Sequence, residues 1–417
     1  MRGLTTSFST IRLNPTARGL VTLYAGTLLS GMWAMIIPGV PVLGAHFGVS
    51  PGVAAQVITA LALGRFVGMP ISGWVLDRLG TRAALVGGTI ASAVASLLAA
   101  ATPWFGLMLA LVLVMGAAEG VWAMGREVAG IDLARLDQRG RVLSGFHGVH
   151  NIGLALGPLL GGVLTEAVGF RAAFVAYAAC AAVSVPLGMI APNSVPSHAP
   201  QPASNIEKRW GAAGLRQRLS GIQGLFNQIE PHLRSTYVVL VFATLTSFVH
   251  RVTLQSMLPL YASSRLGFTP SEVGLLFSIM GLFVFVMILP AGFIIDKVGR
   301  KWATVPSTGI PALVFLLVPF AGSFLQLAAL QALMGVANGL SLGSIATSTY
   351  DVVPSSARGR LQAARRTIAE LGGVGAPLLG GVLADVFSPA VPFLAYAPFL
   401  VLSAVLLALV GRETLPR

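Results

Sequence analysis

Arg65, Glu119, Arg126, Glu127, His147, His150, His250, Arg251, Arg365, Arg366 and Glu370 stand inside long apolar runs of this chain. A charge in hydrocarbon costs ~2.5–3.5 kcal/mol on insertion scales, so each of these residues needs a reason to be there. Their types suit two kinds of chemistry. A carboxylate near mid-depth can take up and release a proton, and Glu119 and Glu370 both stand at such depth. Guanidinium groups such as Arg65, Arg126 and Arg251 can hold an anion.

The spacing sharpens both readings. Arg126 follows Glu119 by seven residues, which puts both on one helix face about 10 Å apart. Arg366 precedes Glu370 by four and can pair with it along the helix. A permanent ion pair of Glu119 with Arg65 or Arg126 is the structural alternative to proton coupling. For Glu370, pairing and a substrate role stand level. His147 and His150 can relay protons or serve as hydrogen-bonded packing. Trp33, Trp122, Asn151, Gln255 and Asn338 complete the expected substrate cavity, with Tyr261 as a further aromatic wall.

These residues must be positioned by helices in lipid. The chain has 417 residues, of which 55% are hydrophobic and 10% charged, where a soluble domain carries about 25% charged. Spanning the bilayer takes about 20 apolar residues as helix. Twelve such stretches are predicted, at about 18–44, 51–76, 83–101, 104–129, 142–166, 171–190, 235–262, 271–295, 302–322, 324–350, 361–384 and 389–410. The third, sixth, ninth and twelfth contain none of the charges above.

The net charge of +13 does not imply nucleic acid, because its distribution is that of a membrane protein. Basic residues fill the connections after the second, fourth, eighth and tenth stretches, the central segment and both tails. The alternate connections hold only Arg171 and Arg265. This bias places both termini in the cytoplasm, in a cell or inner membrane. Residues 1–17 are polar and the first apolar stretch is too long for a signal peptide, so none is expected. The single Cys180 excludes an intrachain disulfide and a cysteine metal cluster. No glycine run leads into Gly-Lys-Ser/Thr, so ATP hydrolysis cannot be read and no cofactor, metal or enzymatic activity is expected.

The chain also repeats itself at an offset of 219 residues. Gly73, Asp77, Gly80 and Arg82 return as Gly292, Asp296, Gly299 and Lys301. Met115-Gly116 returns as Met334-Gly335, and Gly157-Pro158-Leu159-Leu160-Gly161-Gly162 as Ala376-Pro377-Leu378-Leu379-Gly380-Gly381. Glu119 loses its charge in the second copy, becoming Asn338. A duplicated unit of this size in an apolar chain is how many secondary transporters are built. The predicted organisation is an N-terminal six-helix half (1–190), a cytoplasmic linker (191–234) and a C-terminal half (235–417). The linker opens as a Pro-rich polar stretch. From Glu207 to Ile229 it is either a short amphipathic helix or a flexible tether.

The segment Gly73-Trp74-Val75-Leu76-Asp77-Arg78-Leu79-Gly80-Thr81-Arg82 resembles the signature loop of the major facilitator superfamily. Gly292-Phe293-Ile294-Ile295-Asp296-Lys297-Val298-Gly299-Arg300-Lys301 resembles it more closely, since the first copy has Thr81 where a basic residue is usual. The resemblance covers essentially the whole chain. It implies twelve helices in two parallel halves around a central cavity, with the third, sixth, ninth and twelfth at the periphery. It also implies a cytoplasmic latch between the halves, closed in the outward-open state. The latch residues would be Gly73, Asp77, Arg78, Arg82 and Asp132, with Gly292, Asp296, Lys297, Arg300 and Asp351. Asp77 is expected at the N-terminal end of helix 11, and Arg78 or Arg82 near Asp132.

The run with Gly153, Gly157, Pro158, Gly161 and Gly162 resembles the helix-5 motif of the drug/proton antiporter branch. Against that branch, Leu111-Val112-Leu113-Val114 carries no arginine and the first helix no acid. The expected function is proton-coupled export of a small amphipathic molecule by alternating access, by a monomer in the bilayer. Uptake of an organic acid or sugar by proton symport and lipid flipping are the alternatives.

Overall fold

The computed structural model describes residues 15–135, 138–191, 224–354 and 357–415. The body of the predicted linker therefore lies outside the described residues, as do residues 1–14. Among the described residues, eleven helical spans are long and apolar enough to cross a membrane, and one of them, Pro51–Ala101, holds two helices. We number twelve helices accordingly. The N-terminal half contains α1 (Thr16–Phe47), α2 (51–79), α3 (81–101), α4 (Phe105–Leu133), α5 (Arg139–Val168) and α6 (Phe170–Ile190). The C-terminal half contains α7 (Arg234–Leu266), α8 (Pro270–Phe293), α9 (Arg300–Leu317), α10 (Phe324–Val352), α11 (Arg358–Val386) and α12 (Val391–Leu409).

The repeat is written into the backbone. Gly80 (φ 83°) separates α2 from α3, and Gly299 (φ 151°) separates α8 from α9. Gly48 (φ 63°) closes α1, and Gly267 (φ 69°) closes α7. Both pairs stand 219 residues apart, at positions where a side chain would be strained. Ser50-Pro51 and Thr269-Pro270 then start the next helix in each half, with the hydroxyl accepting the backbone N–H of Val53 or Glu272.

Two departures from sequence expectation are local. The centre of α1, Met32–Gly39, is a fully buried 3-10 stretch containing Pro38. In α10 the chain breaks helical geometry at Leu342 and Gly343, the latter at φ 86°. The equivalent position in the first half is Met124, and α4 runs through it unbroken. Exposed apolar side chains cover α3 (Ile90, Val94, Leu97), α6 (Val175, Val183) and α12 (Phe399, Val405), as lipid contact demands.

The halves meet along two seams, α5 against α8 and α2 against α11. Glycine makes each seam tight. A Cβ on Gly162 would collide with the carbonyl of Pro270, one on Gly274 with that of Pro158, and one on Gly52 with that of Gly381. Gln56 Nε2 donates to Pro377 O (3.3 Å), and Ser278 Oγ to Ala155 O (2.7 Å). Two carboxylates finish the seams. Asp385 at the end of α11 accepts from Ser50 Oγ (2.6 Å) and Gly52 N (2.7 Å) at the start of α2. Glu166 at the end of α5 accepts from Ser271 N (3.1 Å) at the start of α8. These hydrogen bonds between the halves lie away from the basic connections. At the basic end, Gly73 and Gly292 face open space.

Candidate functional site

A cavity lies between the two halves, with about 660 Å³ of non-atom space, solvent at its mouth included. The N-terminal half lines it with Ile37 of α1 and Asn151, Leu154 and Pro158 of α5. The C-terminal half supplies Arg251, Leu254 and Gln255 of α7, Phe277 and Met280 of α8, and Asn338 of α10. The walls are apolar and the polar groups few, the usual make-up of a small-molecule site.

The polar groups on the C-terminal side form one network. Arg251 Nε donates to Asn338 Oδ1 (3.2 Å), and its Nη2 donates to the Ser341 hydroxyl. His250 Nε2 lies 3.2 Å from the same Asn338 oxygen. Arg251 thus donates to Oδ1, while His250 also sets its Nδ1 3.2 Å from Thr246 O, and Asn338 Nδ2 faces Met280 Sδ (3.6 Å). His250 is fully buried against Phe315.

None of Arg65, Glu119, Arg126 and Glu127 of the N-terminal half lines this cavity. Arg65 Nε donates to Glu119 Oε2 at 2.7 Å, and Nη2 lies equally close. The Arg65 guanidinium also covers the ring of Trp33, 4.2 Å from its centroid. Glu119 is buried, with its side chain 8% exposed. On its other side it lines a small pocket with Thr89, Ser92, Tyr177 and Ser184, and Trp122 forms part of the same wall. Arg126 is buried between the rings of Trp122 and Phe146, 3.6 Å from Glu127. Glu119 therefore faces Arg65 rather than Arg126 as its hydrogen-bonded partner.

The residues expected in one substrate cavity thus divide. Asn151, Arg251, Gln255 and Asn338 line the cavity. Trp33 and Arg126 are buried behind it, and Trp122 borders the pocket beside Glu119. His147 is exposed, with Nδ1 2.8 Å from Leu143 O, while His150 keeps a buried Nδ1 without a described partner. Glu370 stands 3.7 Å from Arg366, one turn away.

The helix-5 glycines face two ways. Gly153, Gly157 and Gly161 abut the α1 backbone from Leu28 to Met35, and Gly162 abuts α8. At the basic end, Arg300 of the second signature loop bonds Asp351 (3.0 Å) and Asp296 (3.2 Å). In the first loop Asp77 and Arg78 are exposed, and Arg78 lies over Trp74. Arg82 donates to Ala191 O (3.3 Å), and Asp132 is exposed. Asp77 makes no hydrogen bond to α11 among the described residues. Lys297 is exposed.

Sequence reasoning missed the seam carboxylates Glu166 and Asp385. The signal was available, since the two lie 219 residues apart at the ends of equivalent helices. It also missed Ser341 as a partner of Arg251. Among the described residues, no cluster of His, Cys, Asp and Glu could hold a metal ion.

The chain matches the Major Facilitator Superfamily over residues 22–261 and 240–417. It belongs to that family. Multidrug resistance protein MdtG of Proteus mirabilis is 22% identical over 387 residues, covering 89% of this chain and 90% of that protein. The arabinose-proton symporter of Escherichia coli K12 is 24% identical over 292 residues, 66% of this chain, and the match spans only 62% of the symporter. Among solved structures, the inward-open xylose transporter XylE of E. coli aligns with a TM-score of 0.72 at 16% identity. A peptide transporter, POT, aligns at 0.74 and 18%. Each alignment covers 95% of this chain and 96% of the other. At these identities the structures speak for the fold, which is the two-halved fold of this family of membrane transporters.

Proposed function

We propose that this protein is a proton-coupled secondary transporter that exports a small amphipathic molecule by alternating access. The observation that carries the reading is the cavity bounded by both halves, which glycine seams join at the end away from the basic connections. With the basic connections in the cytoplasm, as the positive-inside bias indicates, the joined end is external and the cavity faces inward. Rocking the halves about the cavity would open the seams and bring the two signature loops together. Asp77, exposed here, is then free to approach the N-terminus of α11. Both termini, on this reading, are cytoplasmic.

Glu119 is the proposed proton carrier. It is a buried acid on an inner helix, its partner Arg65 lies at hydrogen-bond distance, and protonation of the acid would release that guanidinium. Glu370, paired with Arg366 along the helix, is the second candidate. Export is favoured over uptake by the helix-5 glycine run and by the likeness to a multidrug resistance protein along nearly the full chain. The test is substrate-dependent proton flux in proteoliposomes, run with compound pools of opposite charge under an imposed pH gradient. Flux with the substrate moving against the proton supports export. Co-directional flux would replace it with symport, and transport without any proton movement would remove the coupling.

A further inference from the structure

The charges within the helices do not balance equally in the two halves. In the N-terminal half Arg65 has Glu119 and Arg126 has Glu127, each within ion-pair distance. Of Arg251, Arg365 and Arg366 in the C-terminal half, only Arg366 has such a partner, Glu370. Arg251 and Arg365 have none among the described residues. Arg365 bonds the neutral groups of Gln362 and Thr244 and is not part of the cavity lining. Arg251 is the cavity's one described cation, and its partners Asn338 and Ser341 are also neutral.

We infer that the cavity takes a small organic anion, and that Arg251 is the group that anchors its oxyanion head. The inference rests on the reading of this cavity as the transport site. A guanidinium drawn out of water needs a counter-charge, and here the protein supplies only neutral acceptors. Those acceptors hold Nε and Nη2 and so fix the plane of the fork. Nη1 makes no hydrogen bond to a described residue, which leaves it for a ligand. A planar fork with a fixed orientation suits a carboxylate or another two-oxygen head. The rest of the site selects the body. Ile37, Leu254, Phe277 and Met280 give apolar walls, and Asn151 and Gln255 give neutral polar contacts. The position of Asn338 matters for the same reason. It occupies the repeat position of Glu119, and its amide leaves Arg251 uncompensated where a carboxylate would neutralise it.

The test measures thermal unfolding of the purified full chain in detergent. The probes are octanoate, benzoate and phenylacetate, each with its matching amine and alcohol. The carboxylates should raise the unfolding midpoint saturably, and the amines and alcohols should not. Arg251→Gln should weaken carboxylate binding on the order of tenfold to a hundredfold, as loss of a charge-assisted hydrogen bond implies. Arg251→Lys should retain part of it. Asn338→Asp places a carboxylate beside Arg251. It should abolish the response while making the unliganded protein more stable, which decides the matter should Arg251→Gln fail to fold. Selectivity for amines, silence across the carboxylates, or an unchanged response in Asn338→Asp overturns the anchor. Counterflow in proteoliposomes separates this from the transport reading. A carboxylate that binds through Arg251 but does not exchange would sink transport and leave the anchor. Exchange of an amine that is indifferent to Arg251 does the reverse.

Discussion

The two halves share a frame and differ in chemistry. Where backbone geometry or the seam depends on a residue, the repeat is kept: Gly48 and Gly267, Gly80 and Gly299, Pro158 and Pro377, Glu166 and Asp385. Where a charge stands inside the bundle, the repeat is broken. Glu119 faces Asn338 across the duplication, and Arg65 and Arg251 have no equivalent in the other half. The lesson is that the conformational machinery needs two matched parts, because both seams must open together. Coupling and recognition need only one site each. The N-terminal half holds a neutralised acid–base pair, and the C-terminal half holds a cation without an acid.

The sharpest way to break this comparison is to make the halves alike at mid-depth. Glu119→Gln gives the N-terminal half a neutral amide, as Asn338 does in the C-terminal half. Gradient-driven transport in proteoliposomes should fall to background, while substrate exchange without a gradient persists. The variant should still fold, since Gln keeps the shape and a hydrogen bond to Arg65, though it leaves that guanidinium without its counter-charge. Retained pH-dependent accumulation would move the proton to Glu370 or Glu127. A protein that no longer folds would make the Arg65–Glu119 pair structural.

The next test asks whether the matched seam residues are matched in strength. Asp385 accepts at 2.6 and 2.7 Å from Ser50 Oγ and Gly52 N at the start of α2, and Glu166 accepts at 3.1 Å from Ser271 N at the start of α8. Asp385→Asn should therefore shift the population toward the seam-open state by on the order of tenfold, and Glu166→Gln by less. The readout is the alkylation rate of a cysteine placed at Ala155 in a Cys180→Ser background, with reagent added from outside. Equal effects, or none, would separate the seams from the cycle.

How much of this was legible follows the same division. The repeat and the hydropathy placed twelve helices, because the bilayer leaves a chain few other options. The seam glycines could be seen as small residues but not assigned to partners, since close approach of two helices is a property of both. The pairing of charges was half legible. Arg366 and Glu370 are one turn apart on one helix, so spacing sufficed. Arg65 and Glu119 sit on different helices, and spacing could only offer Arg126 as a rival. The break in α10 at Leu342 and Gly343 had no local mark, because glycine is common in membrane helices without breaking them. The separation of Trp122 and Arg126 from the cavity depends on side-chain packing that periodicity does not encode.

A smaller difference lies at the basic end. Arg300 joins Asp296 and Asp351, and its repeat position is Thr81. Arg300→Thr copies the N-terminal half's residue into the C-terminal one. It should cost about 1 kcal/mol, the upper range for a partly exposed pair. A lowered unfolding midpoint with unchanged ligand affinity is expected. An effect several times larger would mean that Arg300 also holds the two halves together during the cycle.

The smallest expected effect concerns the C-terminal tail, which only the second signature loop carries. Glu413 accepts from the backbone N–H groups of Arg300 and Lys301 at the start of α9, and from Thr414 and Leu415. Partial burial pushes its carboxyl pKa upward, but these donors outweigh burial and hold it below the ordinary value of 4.5. A carboxylate whose pKa is depressed on folding adds stability that is present above the unfolded value and is lost as pH falls through the folded one. Glu413→Gln should therefore lower the unfolding midpoint slightly at neutral pH, by on the order of 0.5 kcal/mol, the scale of an exposed anion at a helix N-terminus. The difference between variant and parent should shrink toward zero as the buffer is taken below pH 4.5. A difference that persists unchanged in acid would mean that the tail is held by Lys301 Nζ on Ala408 O and Thr414 Oγ1 on Asp351. The Glu413 charge would then be incidental.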